Sequence, residues 1–196
     1  MKRLSIVLSI LMFQAAMALP ALAQSSSDEF SPGFYAQAGF AIQFQTSDLK
    51  LVASNNGNQA YGGSIAAGYF LTNWLALQGR AQFIDSGANT LTYIYSADAK
   101  LYVLNLLMSN PNGLIQPYAI AGLGGYTITS DLGNFIGGSS QTWFTLELGA
   151  GLDLMLTEHL GLFGEFNYQY INASSTTNVL TDANNIGMTM GLTYRF

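Results

Sequence analysis

Apolar side chains at every second position, in eight separate stretches, restrict what this 196-residue chain can fold into more than any other feature. Between Trp143 and Asp153, the series Phe144, Leu146, Leu148, Ala150 and Leu152 alternates with Trp143, Thr145, Glu147, Gly149, Gly151 and Asp153. Successive side chains of an extended strand point to opposite faces, so this spacing divides the segment into an apolar face and a smaller, more polar one. A helix would mix Leu148 with Gly151 and set Leu152 beside Glu147 or Asp153. Each of the two glycines would also cost it about 1 kcal/mol.

The same reading predicts strands at residues 33–45, 59–71, 74–84, 91–104, 117–129, 143–153, 160–171 and 186–196. In the first, Phe34, Phe40, Ile42 and Phe44 oppose Tyr35, Gln37, Gly39 and Gln43. In the third, Leu75, Leu77, Ala81 and Phe83 oppose Ala76, Gln78, Arg80 and Gln82. In the last, Ile186, Met188, Met190, Leu192, Tyr194 and Phe196 oppose Gly187, Thr189, Gly191, Thr193 and Arg195. The fifth is less regular: Tyr118, Ile120, Tyr126 and Ile128 share one face, Gly122 and Gly124 interrupt it, and Leu123 lies on the other. Short turns at Thr72-Asn73 and Thr157-Glu158-His159 alternate with longer polar connections around Asn55-Asn56-Gly57, Ser86-Gly87-Ala88-Asn89, Gly137-Gly138-Ser139-Ser140 and Ser174-Ser175-Thr176-Thr177. Only the turn at Asn110-Pro111-Asn112-Gly113 is longer than this alternation predicts. The expected fold is all-β, an eight-stranded antiparallel up-and-down barrel.

Whether the apolar face of such a barrel points in or out is decided by charge and volume. Charged residues make up 9% of the chain, against about 25% in ordinary soluble domains. The polar face consists largely of Gly, Ala, Ser, Thr and Gln, which is too charge-poor for a soluble exterior and small enough for a narrow interior. The apolar rows therefore face hydrocarbon, and the barrel is a transmembrane one. Aromatic residues near the strand ends predict two interfacial girdles, Tyr69, Tyr118, Tyr194 and Phe196 at one rim and Phe44, Tyr61, Tyr93 and Tyr170 at the other.

The first residues fit this placement. Lys2 and Arg3 precede an apolar run that is shorter than the roughly 20 residues of a spanning helix, and Ala21-Leu22-Ala23 reads as a cleavage site. Residues 1–23 are expected to be a removed signal peptide and residues 24–196 one barrel domain, exported to the cell outer membrane of a Gram-negative envelope. Cysteine is absent, so disulfides play no part. The net charge of −5 and the lack of a basic patch argue against nucleic acid as a partner.

Three segments carry a resemblance to a known family: the run Gln116-Pro117-Tyr118-Ala119-Ile120-Ala121-Gly122-Leu123-Gly124-Gly125-Tyr126, the run Glu147-Leu148-Gly149-Ala150-Gly151-Leu152-Asp153, and the ending Gly191-Leu192-Thr193-Tyr194-Arg195-Phe196. With them the chain resembles the OmpA/OmpX-type outer-membrane β-barrels, including the opacity-like porin-family proteins. The resemblance implies that Tyr194 and Phe196 form the signal read by the barrel-assembly machinery during biogenesis. It implies outer-membrane lipid and lipopolysaccharide as surroundings, and host surface molecules as candidate partners of the loops. Some members carry a peptidoglycan-binding domain after the barrel. This chain is expected to lack one, since it stops at the last strand.

Inward charges are few: Arg80, Asp98, Lys100, Glu147 and Glu165 near mid-strand, with Asp153 and Arg195 towards one end. Buried charges need partners. Similarity to OmpA-like barrels implies that Arg80 and Lys100 pair with Glu147 and Glu165 in a salt-bridge network that plugs the lumen, the rival being a gate whose pairs exchange. Nothing resembles an enzyme site: a nucleophilic serine needs a base beside it, and the single histidine, His159, lies on a short turn. One His and no Cys leave only scattered carboxylates for a metal, and no cofactor is expected. Asp48, Asp85, Asp131 and Asp182 lie on or near the long loops. They read either as solvated charges or as a loose site for divalent cations or lipopolysaccharide. The expected function is structural, with surface display of the loops. A narrow or gated channel for small solutes and an adhesin acting through the loops are the alternatives.

Overall fold

The computed structural model describes residues 33–45, 59–85, 90–108, 114–130, 140–172 and 183–196. Eight strands follow one another: β1 (Phe34–Gln45), β2 (Gln59–Phe70), β3 (Leu75–Asp85), β4 (Thr90–Tyr102), β5 (Ile115–Ser130), β6 (Ser140–Met155), β7 (Leu160–Asn172) and β8 (Ala183–Arg195). Each pairs antiparallel with its neighbours in sequence, and β1 pairs with β8, so the sheet is a closed up-and-down barrel. Closure removes the free edges that would leave backbone groups unpaired in hydrocarbon. No described helix is long and apolar enough to cross a membrane.

The alternation read from the sequence is the alternation of the wall. In β7 it is complete: Gly161, Phe163, Glu165, Asn167, Gln169 and Ile171 are buried, whereas Leu162, Gly164, Phe166 and Tyr168 are exposed. Between the two rims, no described side chain on the outer face is charged; Asp85 at the end of β3 and Glu158 in a turn mark its limits. A belt of this composition suits hydrocarbon and not water.

At one end of the barrel, two connections share a single design. Thr72 Oγ1 accepts from the backbone N–H groups of Trp74 and Leu75 at 3.3 and 3.0 Å, and Thr157 Oγ1 accepts from those of His159 and Leu160 at 3.3 and 2.9 Å. In each, a Leu-Thr pair donates two backbone bonds to the carbonyl of the leucine that opens the next strand, Leu75 or Leu160. A threonine that satisfies the turn from within lets the chain reverse tightly. This is the turn end. Apart from Ser140, which begins β6, the predicted loops of the opposite, loop end lie outside the described residues, as do Asp48, Asp131 and Asp182.

Two expectations are corrected. In β5, Tyr118 and Ile120 point into the lumen, 2% and 3% exposed, and Leu123 points out, 56% exposed. Tyr118 therefore belongs to no interfacial girdle. The strand's larger apolar residues are on its inner face because the lumen, ionic at mid-height, packs a cluster of large aromatic and aliphatic side chains towards each end. The second correction concerns the end of β4, where the predicted strand runs to residue 104 and the ladder stops at Tyr102. A short helix, α1 (Val103–Met108), follows and leads towards β5.

Glycine–aromatic pairs set the wall's close approaches. Tyr35 lies opposite Gly68, Tyr95 opposite Gly125 and Tyr118 opposite Gly151, and a Cβ on any of these glycines would strike the partner's ring. Such pairs let the ring cover the glycine and pin the register. Gly151→Ala is expected to cost about 1–3 kcal/mol, the range of overpacking, since the Tyr118 ring has to move. Gly79→Ala, with no described atom within 4 Å of the added carbon, should be neutral or gain up to about 1 kcal/mol in strand propensity. Urea midpoints of the two variants, read from the shift in gel mobility between folded and unfolded barrel, check the contrast. Equal midpoints would contradict it.

Candidate functional site

The most distinctive chemistry of the molecule lies at mid-height in the lumen. Arg80 of β3 is aimed across the barrel, its guanidinium 2.7 Å from Glu147 of β6 and 3.4 Å from Glu165 of β7, while its other terminal nitrogen is 3.0 Å from Asp98 on β4. Lys100, one inward position along β4 from Asp98, places Nζ 2.9 Å from Glu165 and donates to Gln37 Oε1 of β1, also at 2.9 Å. All five charged side chains are 3% exposed or less. A planar guanidinium suits this place, because its fork of donors can serve several carboxylates at once.

Neutral donors complete the layer. The Tyr118 hydroxyl donates to Glu165 at 2.9 Å, Gln78 Nε2 to Asp98 at 2.9 Å, and the Tyr35 hydroxyl in turn to Gln78. Lys100 Nζ also stands 4.3 Å from the centre of the Tyr118 ring. Towards the turn end a second group forms: Arg195 is 3.3 Å from Asp153, which accepts from the Tyr102 hydroxyl at 3.0 Å, and Arg195 donates to Gln116 at 2.6 Å. Towards the loop end, amides take over, with Gln43 donating to both Gln82 and Gln169 and Gln82 donating to Thr189. Apart from Gln78–Asp98, these bonds join strands that are not neighbours in the wall, so they brace it as well as fill it.

Apolar layers close this polar column above and below. At the loop end Ala41, Ala60, Ile84, Ile94, Tyr126 and Ile171 form a buried cluster against which Ile128 and Trp143 pack. At the turn end Tyr35, Phe70, Ala76, Tyr102, Tyr118 and Ile120 form another. There the rings of Phe70, Tyr102 and Tyr118 follow one another at centroid spacings of 5.3 and 5.2 Å, with the Arg195 guanidinium 4.9 Å from Phe70.

All four network residues named from the sequence, Arg80, Lys100, Glu147 and Glu165, meet in one layer. Asp98 joins them as a third carboxylate on Arg80. Gln37 and Tyr118 are not legible as members: the first carries no charge, and the apolar pattern of β5 assigns the second to an outer girdle. At the chain end, Tyr194 and Phe196 face outward and their rings meet edge to face at 5.0 Å. The Phe196 N–H donates to the Phe34 carbonyl, closing the barrel seam. His159 stacks on Tyr194 at 5.9 Å, with its Nδ1 2.9 Å from the Arg195 carbonyl; it belongs to the turn end, remote from the ionic layer. Among the described residues no cluster of His, Cys, Asp or Glu has the arrangement of a metal site.

The sequence matches the family described as outer membrane protein beta-barrel domain over residues 9–196. The chain belongs to that family. Solved barrels share the fold. Neisserial surface protein A is 21% identical with a TM-score of 0.66, over 85% of this chain and 100% of its own. The N-terminal β-barrel domain of Pseudomonas aeruginosa OprF is 22% identical with a TM-score of 0.55, over 84% and 99%. Ail, the attachment invasion locus protein of Yersinia pestis, solved with the heparin analogue sucrose octasulfate, is 16% identical with a TM-score of 0.53, over 85% and 100%. No curated protein matches the sequence. Membership makes the chain an outer-membrane barrel of the OmpA/OmpX type.

Proposed function

We propose that this protein is a non-conducting wall element of the outer membrane that holds four loops at the cell surface, with no catalysis of its own. The supporting observation is the lumen. Its charges are paired side to side at mid-height, and apolar clusters cover that layer towards both rims. Ions crossing it would have to break buried pairs and also pass the closely packed side chains of two clusters, and eight strands leave an interior just wide enough for side chains to fill. Planar bilayers containing the purified barrel should stay silent. Steady openings that change on Glu147→Ala would instead favour the narrow or gated channel.

Residues 1–23 serve, in this proposal, as a cleaved signal peptide, so that the exported protein begins at Gln24; N-terminal sequencing of outer-membrane material tests this. Tyr194 and Phe196, outward on the last strand, act as the signal for the barrel-assembly machinery. Lipopolysaccharide surrounds the loop end. Contact with host surface molecules through the loops is the adhesin form of the same display role, and exchanging the loops while keeping the barrel would abolish such binding.

A further inference from the structure

The connection between β4 and β5 departs from the other two at the turn end. The β2–β3 and β6–β7 turns reverse at once, and the latter presents the charged Glu158 to water. Residues 103–117 carry no charge at all. Within them α1 is fastened from below: Asn105, 3% exposed, donates to the Asn73 carbonyl of the neighbouring turn at 2.8 Å, and Leu114 accepts from the Met155 N–H. With its polar residue turned to the barrel, α1 presents Val103, Leu106 and Leu107, the last 73% exposed, beside Leu114 and Ile115, 59% and 51% exposed.

These side chains continue the lipid-facing wall. Val103 opens α1 two residues after Leu101, the last outward residue of β4, and Ile115 begins the outward row of β5. Apolar surface of this kind, anchored by its polar side to the protein, finds its favourable surroundings at the headgroup–acyl boundary.

We infer that the α1 segment is a membrane-interface anchor seated in the periplasmic leaflet, so that the apolar belt reaches deeper on the β4–β5 side than elsewhere around the barrel. The occupant of this surface is phospholipid. Continuity with the outer wall and the absence of charge select it over water. The inference rests on the outer-membrane placement of the barrel, and the test reads the two separately.

The chain contains no cysteine, so single spin labels can be placed at will. Leu107→Cys, Leu148→Cys in the wall and Glu158→Cys in the charged turn would be labelled with a nitroxide in barrels refolded into phosphatidylethanolamine/phosphatidylglycerol vesicles. Heat-modifiable gel migration confirms that each is folded. Collision with oxygen, which concentrates in lipid, is compared with collision with a water-soluble nickel chelate. A Leu148 label favouring oxygen establishes insertion independently of α1. The Leu107 label is expected to favour oxygen over nickel several-fold, approaching Leu148 and unlike Glu158. Nickel accessibility equal to that of Glu158 would overturn the inference and leave the patch for a periplasmic protein. Shielding from both reagents would overturn it in favour of contact with a second copy.

Discussion

Arg80→Ala is expected to lower the unfolding free energy by about 3–5 kcal/mol, the cost of removing one partner from a buried ionic group. The loss is large because Arg80 faces Asp98, Glu147 and Glu165 together, and only Lys100, on Glu165, remains to offset them at this height. Their mutual repulsion would act in a region with little access to water. Glu147→Gln should be milder, since Arg80 keeps two carboxylates and the amide can still accept from Gln169. In Arg80→Ala/Glu147→Gln, one of the stranded charges is removed as well, so the double variant should be more stable than the sum of the single losses, by a coupling of about 0.5–3 kcal/mol. Urea titrations of the folded and unfolded gel bands measure all three. A midpoint for Arg80→Ala within error of the parent would show that the layer does not brace the barrel.

Leu148→Arg should cost about 2–4 kcal/mol, the penalty for a cation on the lipid face at mid-height. Leu148 lies near the middle of β6, 62% exposed, between Ala121 and Tyr168 on the neighbouring strands. Leu156, 55% exposed, sits where the same outward row meets the β6–β7 turn. There the arginine can reach water, so Leu156→Arg should cost only about 0–1 kcal/mol. The gradient is the informative quantity. Two exposed leucines in one outward row would behave alike on a soluble protein, and equal effects would argue against hydrocarbon around the belt.

Much of this architecture was legible from residues alone, and particular segments show why. Through the middle of β7 and β8, from Glu165 to Gln169 and from Ile186 to Thr193, polar or small inward residues alternate with mostly large apolar outward ones, so period two assigns both faces without any knowledge of the partner strands. The Thr72 and Thr157 turns could be read because their chemistry is local. Strand β5 was different: Gly122 and Gly124 remove two inward side chains, and beyond Gln116 those remaining, Tyr118, Ile120, Tyr126 and Ile128, are as apolar as a lipid-facing row. Only the curvature of the closed sheet, which stacks Tyr118 beside Tyr102 and brings its hydroxyl to Glu165, shows that they point inward. Likewise α1 continues the apolar run of β4 with nothing to announce a helix, and its one polar residue acquires meaning from Asn73, which is distant in sequence.

By itself, the order of residues determined the number of strands, their direction, the two faces of most of them and the identity of the charges that go inside, because alternation and turn chemistry depend on neighbours along the chain. Tertiary structure alone decided that Asp98 joins Glu147 and Glu165 on Arg80, that Lys100 meets Glu165, and that a packed cluster lies towards each end of the column. Those outcomes depend on distances across the barrel, from β3 to β6 and β7 or from β4 to β7. Such distances exist only once β1 has paired with β8 and the wall has acquired its fixed diameter.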